Sequence, residues 1–121
     1  MTFGSGDYTY TVQENWWTLP EGWAFGWIPG VACDSKDRVY VYSRSDHPLI
    51  RFDRHGRFLD TIGDGILTDA HGIYIDEEDN VFCTDWQAHC IRKFNKFGGL
   101  VLTIGTPGQP GAKDGDPFNL P

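Results

Sequence analysis

The sequence predicts an all-β fold built from two four-stranded units, and three observations lead to that prediction. The 121 residues include 15 glycines and 7 prolines, which favour short elements joined by tight turns. No stretch shows the sustained i, i+3, i+4, i+7 spacing of apolar residues that is typical of an amphipathic helix. The third observation is an internal repeat. Separately, a chain of this length is expected to form one domain.

The repeat begins at Gly30 and has a period of 42 residues without gaps. Corresponding residues include Gly30 and Gly72, Phe52 and Phe94, and Gly63 and Gly105. Each copy contains four short runs rich in β-branched and aromatic residues, separated by turns that carry Gly or Asp. A period of about 40–45 residues is the length of one four-stranded propeller blade.

The repeat divides the chain into four predicted segments. These are an N-terminal strand and aromatic lead-in over 1–28, a first blade over 29–66, a second blade over 67–108, and a loop starting a third repeat over 109–121. Within the first segment, Met1–Asp7 is expected to be loose and Tyr8–Val12 to form a strand. We interpret the four tryptophans of the lead-in as a packed cap or an interface, with aromatic ligand stacking as the alternative.

The composition argues against several classes of partner. Apolar residues make up 40% of the chain, which is adequate for a packed core. The net charge of −7 disfavours nucleic acid and anionic membranes as partners. No apolar run approaches the roughly 18 residues of a spanning helix, and the first residues lack the layout of a signal peptide.

Three cysteines, Cys33, Cys83 and Cys90, form no CxxC pair, and the odd number leaves at least one unpaired. Reduced thiols in a cytoplasmic protein are the simplest interpretation. A disulfide between Cys83 and Cys90 is the alternative.

Two blades cannot close a ring, and alone they would expose two apolar sheet faces. The sequence therefore predicts either a fragment of a longer protein or an assembly of copies. Three copies of two blades give six blades with cyclic symmetry, so we expect a homotrimer.

Three segments carry a family resemblance: Trp17–Asp34, Val39–His47, and Ala70–Asp76 followed by Thr84–His89. They resemble NHL-repeat six-bladed propellers and, within that class, the N-terminal two blades of the peptidylglycine alpha-amidating lyase family. That family cleaves a peptidyl hydroxyglycine into an amide and glyoxylate.

The resemblance implies a zinc ion near the propeller axis, held by histidines from three blades, and His71 falls on the first of these positions. It places Arg44 at an arginine that contacts the substrate carboxylate. It also places the backbone around Ile73 at a structural calcium contact. The family's other two histidines and its proposed tyrosine base lie in later blades, so the activity does not carry over whole.

The candidate residues each have a structural alternative. His71 corresponds to Pro29 in the first copy, so it is no general feature of the repeat. One histidine is not a metal site, because zinc needs three protein ligands, but a threefold trimer would bring three copies of His71 to one axis. The alternative is a channel-lining histidine bonded to water or backbone. Arg44, which corresponds to Trp86, is either an anion-binding residue or part of a surface ion pair.

Two further residue types complete the candidates. Asp85 is a candidate for a general base, and the alternative is a role in tying loops together. His47 and His89 occupy one repeat position and are expected to pack and hydrogen-bond within their blades.

We therefore expect a metal-dependent enzyme at the axis of an assembled propeller. Zinc would be bound by His71 from three chains, and Arg44 would hold an anionic group of a small-molecule substrate. Hydrolysis of an ester or phosphoester by zinc-bound water, or a lyase-like reaction, fits such a site. The alternatives are a non-catalytic NHL-type interaction module and a fragment of a larger amidating-lyase-like protein.

Overall fold

The computed structural model describes residues 1–111, and these form ten strands. A hairpin comprises β1 (Thr2–Ser5) and β2 (Tyr8–Thr11). The first sheet comprises β3 (Gly30–Cys33), β4 (Val39–Tyr42), β5 (Leu49–Phe52) and β6 (Phe58–Ile62). The second sheet comprises β7 (Ala70–Ile75), β8 (Val81–Asp85), β9 (Cys90–Phe94) and β10 (Leu100–Ile104).

Both four-stranded sheets are antiparallel meanders in which strands adjacent in sequence are adjacent in space. The prediction of an all-β fold with two four-stranded units is therefore confirmed. Within residues 1–111 no helix is long and apolar enough to cross a membrane. The predicted start of a third repeat lies mostly outside the described residues.

The N-terminus differs from the expectation of a loose segment. Thr2–Ser5 forms β1, which pairs with β2 so that Thr2 faces Thr11 and Ser5 faces Tyr8. A Cβ at Gly4 would lie 2.0 Å from the Tyr8 carbonyl oxygen, so only glycine permits this close pairing. The glycines indicate a tight hairpin here and not a flexible tail.

The turns after β3 and β7 are built alike around an aspartate. Asp34 Oδ1 accepts hydrogen bonds from the backbone N–H groups of Lys36 and Arg38, at 2.9 and 3.0 Å. Burial opposes ionisation of Asp34, but these bonds, together with those from the Arg38 and Tyr40 side chains, hold its pKa below the usual value. Asp34 is only 7% exposed, so it serves as a structural hydrogen-bond acceptor of the turn.

The two sheets pack face to face and enclose one core cluster. Tyr40 and Tyr42 of the first sheet lie against Val81, Cys83 and Phe94 of the second, and all five are fully buried. The Tyr42 hydroxyl donates a hydrogen bond across the interface to the Thr84 carbonyl oxygen, at 3.1 Å. The interface therefore combines apolar burial with a satisfied polar group, which avoids the cost of an unpaired buried hydroxyl.

Arg51 adds a polar connection between the sheets. It forms an ion pair with Asp60 on the neighbouring strand, and this contact raises the pKa of the guanidinium. Its Nη1 donates to the Lys96 carbonyl oxygen in the β9–β10 turn, at 3.0 Å. One buried side chain thus joins two strands of the first sheet to a turn of the second.

The aromatic lead-in packs on the opposite face of the first sheet. The Trp16 and Phe25 rings lie 5.9 and 6.2 Å from the Phe52 ring, and Trp23 belongs to the same cluster. The prediction of a packed cap is confirmed for Trp16 and Trp23. Trp27 is 79% exposed and does not form part of that cap.

The cysteines are free among the described residues, so Cys83 and Cys90 form no disulfide. Both are buried, and burial raises the pKa of the Cys83 thiol to about 12. A thiol with this pKa is protonated at neutral pH and serves as a small apolar residue of the core.

Phe94→Ala should lower the free energy of unfolding by about 3–5 kcal/mol, because it removes a fully buried ring between the sheets. Phe97→Ala is the matched control, since Phe97 is 82% exposed, and it should change the same quantity by less than about 0.5 kcal/mol. Urea unfolding followed by tryptophan fluorescence measures both. Equal losses for the two variants would contradict the placement of the core.

Candidate functional site at the start of strand β7

His71 lies in a β-bulge at the beginning of β7. The pairing of β7 with β8 shifts register between Ala70 and Ile73, whereas the corresponding pairing of β3 with β4 is regular. Thr84 Oγ1 holds the bulge by accepting the Gly72 N–H at 2.6 Å. Bulges re-aim side chains, and the His71 side chain is exposed beside the fully buried Ala70.

Arg44 reaches the same point from the first sheet. Its Nε donates to the Ala70 carbonyl oxygen at 2.9 Å and forms an ion pair with Asp69 Oδ1 at 2.8 Å. The guanidinium carbon also lies 5.9 Å from the ring centroids of both Trp27 and Trp86. The structure thus brings the predicted residues Arg44 and His71 to one end of β7, with Arg44 held in a fixed position.

Sequence reasoning missed the partners that hold Arg44, although the repeat contains a signal for them. Trp27 corresponds to Asp69, and Arg44 corresponds to Trp86. The backbone bonds are equivalent: Arg44 N–H donates to the Trp27 carbonyl at 2.8 Å, and Trp86 N–H donates to the Asp69 carbonyl at 3.0 Å. At these two positions the first copy has Trp27 and Arg44, and the second copy has Asp69 and Trp86. Arg44 contacts the other three side chains.

Asp85 is fully buried and its carboxylate is occupied by neighbouring donors. It accepts the Thr68 N–H at 2.7 Å, the Thr68 hydroxyl at 2.9 Å, the Asp69 N–H at 3.1 Å and the Ala88 N–H at 3.2 Å. This geometry favours the loop-tying role over that of a general base. Through Asp69, the carboxylate also positions the partner of Arg44.

His47 packs and hydrogen-bonds as expected for a structural histidine. Its ring stacks on Trp23 with centroids 3.5 Å apart and an interplanar angle of 8°. Its Nδ1 lies 2.7 Å from Asp64 Oδ2. His47 therefore joins the lead-in to the connection between the two sheets.

Comparison with known proteins identifies distant relatives. NHL repeat-containing protein 3 of Homo sapiens is 32% identical over 112 residues, which is 84% of this chain and 32% of that protein. Peptidylglycine alpha-amidating monooxygenase of Rattus norvegicus is 25% identical over 138 aligned residues, which is 89% of this chain and 14% of that protein. The chain is a distant homologue of both. No family model matches it.

The predicted resemblance to NHL-repeat proteins and to the amidating family is therefore confirmed as a distant similarity. NHL repeat-containing protein 3 of Mus musculus agrees, at 34% identity over 67% of this chain and 26% of that protein. The NHL-like chain spans between 14% and 32% of the length of these curated relatives. The relatives are thus much longer proteins, and this chain matches only a part of each.

Residues 1–111 of a single copy do not provide a complete zinc site. Within residues 1–111, no three His, Cys, Asp or Glu side chains form a group that could hold a metal. His71 offers a single ligand, whereas a protein zinc site uses three or four. Zinc binding by three chains and calcium binding near Ile73 remain predictions.

Asp85→Asn should lower the free energy of unfolding by about 1–3 kcal/mol, because an amide N–H₂ would face backbone and hydroxyl donors. Asp37→Asn is the control, since the Asp37 side chain is 72% exposed and its contact with Arg54 is long, at 3.9 Å. Thermal unfolding with calorimetry measures both variants. An Asp85→Asn protein as stable as the control would show that the carboxylate does not tie these loops.

Proposed function

We propose that this chain supplies two blades of a six-bladed propeller made by three copies, and that a metal-dependent enzymatic site lies on its axis. The observation that carries the proposal is the pairing of an exposed histidine in a bulge with an arginine held beside it. His71 and Arg44 both depart from the repeat, so neither is needed to build a blade. Residues that differ between the two copies and lie close together in the structure are candidates for a functional site.

Arg44 is suited to hold an anionic group. Its Nε is committed to Ala70 and Asp69, and its side chain remains 32% exposed. A guanidinium fixed in this way loses little conformational entropy when it binds a carboxylate or phosphate. The exposed Trp27 ring beside it offers an apolar surface for the rest of a small-molecule ligand.

His71 requires partners from other copies for metal binding. In a threefold ring, equivalent side chains surround the axis, and three histidines form the ligand set of a catalytic zinc with an open position. A bound zinc would supply an activated water and a Lewis acid. Hydrolysis of an ester or phosphoester is the reaction we favour, with a lyase-like reaction as the second possibility. We also propose a cytoplasmic location, which the free thiols of Cys33, Cys83 and Cys90 support.

A non-catalytic interaction module is the second candidate function. It is favoured by the exposed apolar side chains of the second sheet, such as those of Tyr74 and Val101. The same features suit two blades of a larger amidating-lyase-like protein. Metal content separates these alternatives from the enzyme.

The purified full chain should bind about one zinc per three chains, because each zinc needs one histidine from each of three copies. His71→Ala should abolish binding, whereas His55→Ala, at an exposed position in the turn after β5, should retain it. Equilibrium dialysis against zinc followed by elemental analysis measures the ratio. Zinc bound equally by His71→Ala, or by neither variant nor the parent chain, would contradict the metal site.

A further inference from the structure

The second sheet has one apolar face that the described residues leave uncovered. Tyr74 is 62% exposed on this face, and Phe82, Ile91 and Ile104 are half-buried. These side chains line a depression of about 380 Å³. We call this surface the open face.

The repeat shows how the open face is built to pack. Four residues that line it lie 42 positions after residues of the first sheet that belong to the core cluster between the sheets. The corresponding pairs are Tyr40 and Phe82, Tyr42 and Thr84, Leu49 and Ile91, and Ile62 and Ile104. The open face of the second sheet is therefore equivalent to the face of the first sheet that packs against the second sheet.

The first sheet carries the complementary surface. An entirely apolar groove of about 230 Å³ lies at its inner strands, lined by Trp16, Trp17, Phe25, Ile28, Val31, Val39 and Val41. Three of these residues, Val31, Val39 and Val41, correspond to Ile73, Val81 and Cys83 of the second sheet. The latter three receive the first sheet in the internal interface.

The lead-in forms part of this groove and does not fill it. Phe25 and Ile28 correspond to Leu67 and Ala70, which lie in the core cluster between the two sheets. Residues at these positions are thus compatible with a sheet packed beside them. Val31 remains 57% exposed on the floor of the groove.

We propose that the open face of one copy docks into the groove of the next copy, head to tail. The occupant is a second copy because the two surfaces belong to one chain and carry residues equivalent to the two sides of its internal interface. On the groove side Trp16 and Phe25 cover Phe52, the equivalent of Phe94, so the neighbouring copy would contact the groove beside the lead-in. This contact is heterologous, so it forms a closed ring when the rotation closes. At about 60° per blade in a six-bladed propeller, three copies close the ring.

The contact deepens the proposed function and rests on it for the number of copies. Each copy would bring its own β7, and with it His71, to the same end of the ring. An axial site is therefore incomplete without the neighbouring copies. The contact itself does not depend on whether a metal binds.

Two variants test the head-to-tail arrangement in the full chain. Phe82→Glu disrupts the open face, and Val31→Glu disrupts the groove, so each variant keeps one intact surface. Each alone should be a monomer, because it lacks one of the two surfaces that must meet. An equal mixture should form a dimer of one copy of each and nothing larger.

Sedimentation velocity measures the masses, with the unmodified chain expected at three times 13.7 kDa. Phe97→Glu, at a residue 82% exposed in a turn away from both surfaces, should keep the mass of the unmodified chain. Near-ultraviolet circular dichroism checks that each variant is folded. If a glutamate variant unfolds, Phe82→Ala and Val31→Ala should still weaken assembly at least tenfold.

An unmodified chain that is monomeric at every concentration overturns the proposal. A mixture that remains monomeric also overturns it, since the copies would then meet by some other pair of surfaces. His71→Ala should keep the assembled mass. If His71→Ala assembles and the parent chain binds no zinc, the metal site fails and the docking contact stands.

Discussion

Face-to-face packing of the two sheets is the interaction on which the rest of the structure depends. Tyr40 and Tyr42 are both fully buried in it, and the Tyr42 hydroxyl is satisfied by the Thr84 carbonyl. Isolated small sheets expose too much apolar surface to be stable, so each sheet requires a neighbour. The same requirement remains unmet at the open face of the second sheet, and it leads directly to the proposed contact between copies.

The candidate site exists only because the sheets pack in this way. Arg44 follows the second strand of the first sheet, and its Nε bonds to the first residue of the second sheet, Ala70. Asp85 holds the backbone of Asp69, which in turn pairs with Arg44. Charged side chains are thus placed by backbone geometry and by buried hydrogen bonds, so Arg44 is positioned before any ligand arrives.

Periodicity explains why the fold could be predicted and much of the site could not. A period of 42 residues defines the strands and their order, because equivalent residues must meet equivalent neighbours. The bulge at His71 is held by the Thr84 hydroxyl, which accepts the Gly72 N–H and donates to the Gly72 carbonyl oxygen, and a periodic pattern does not show these contacts. The buried role of Asp85 depends on four donors that come together only in the folded chain. The N-terminal hairpin differs from the expected loose segment because Gly4 and Gly6 adopt positive φ and form a tight turn, which the residue types alone do not specify.

The central claim is that the internal interface between sheets is repeated between copies. Electron microscopy of the unmodified full chain tests this claim most directly, because class averages display the number and arrangement of blades. We expect closed rings of six blades around a central channel. Particles with only two blades, or open chains of varying length, would contradict it.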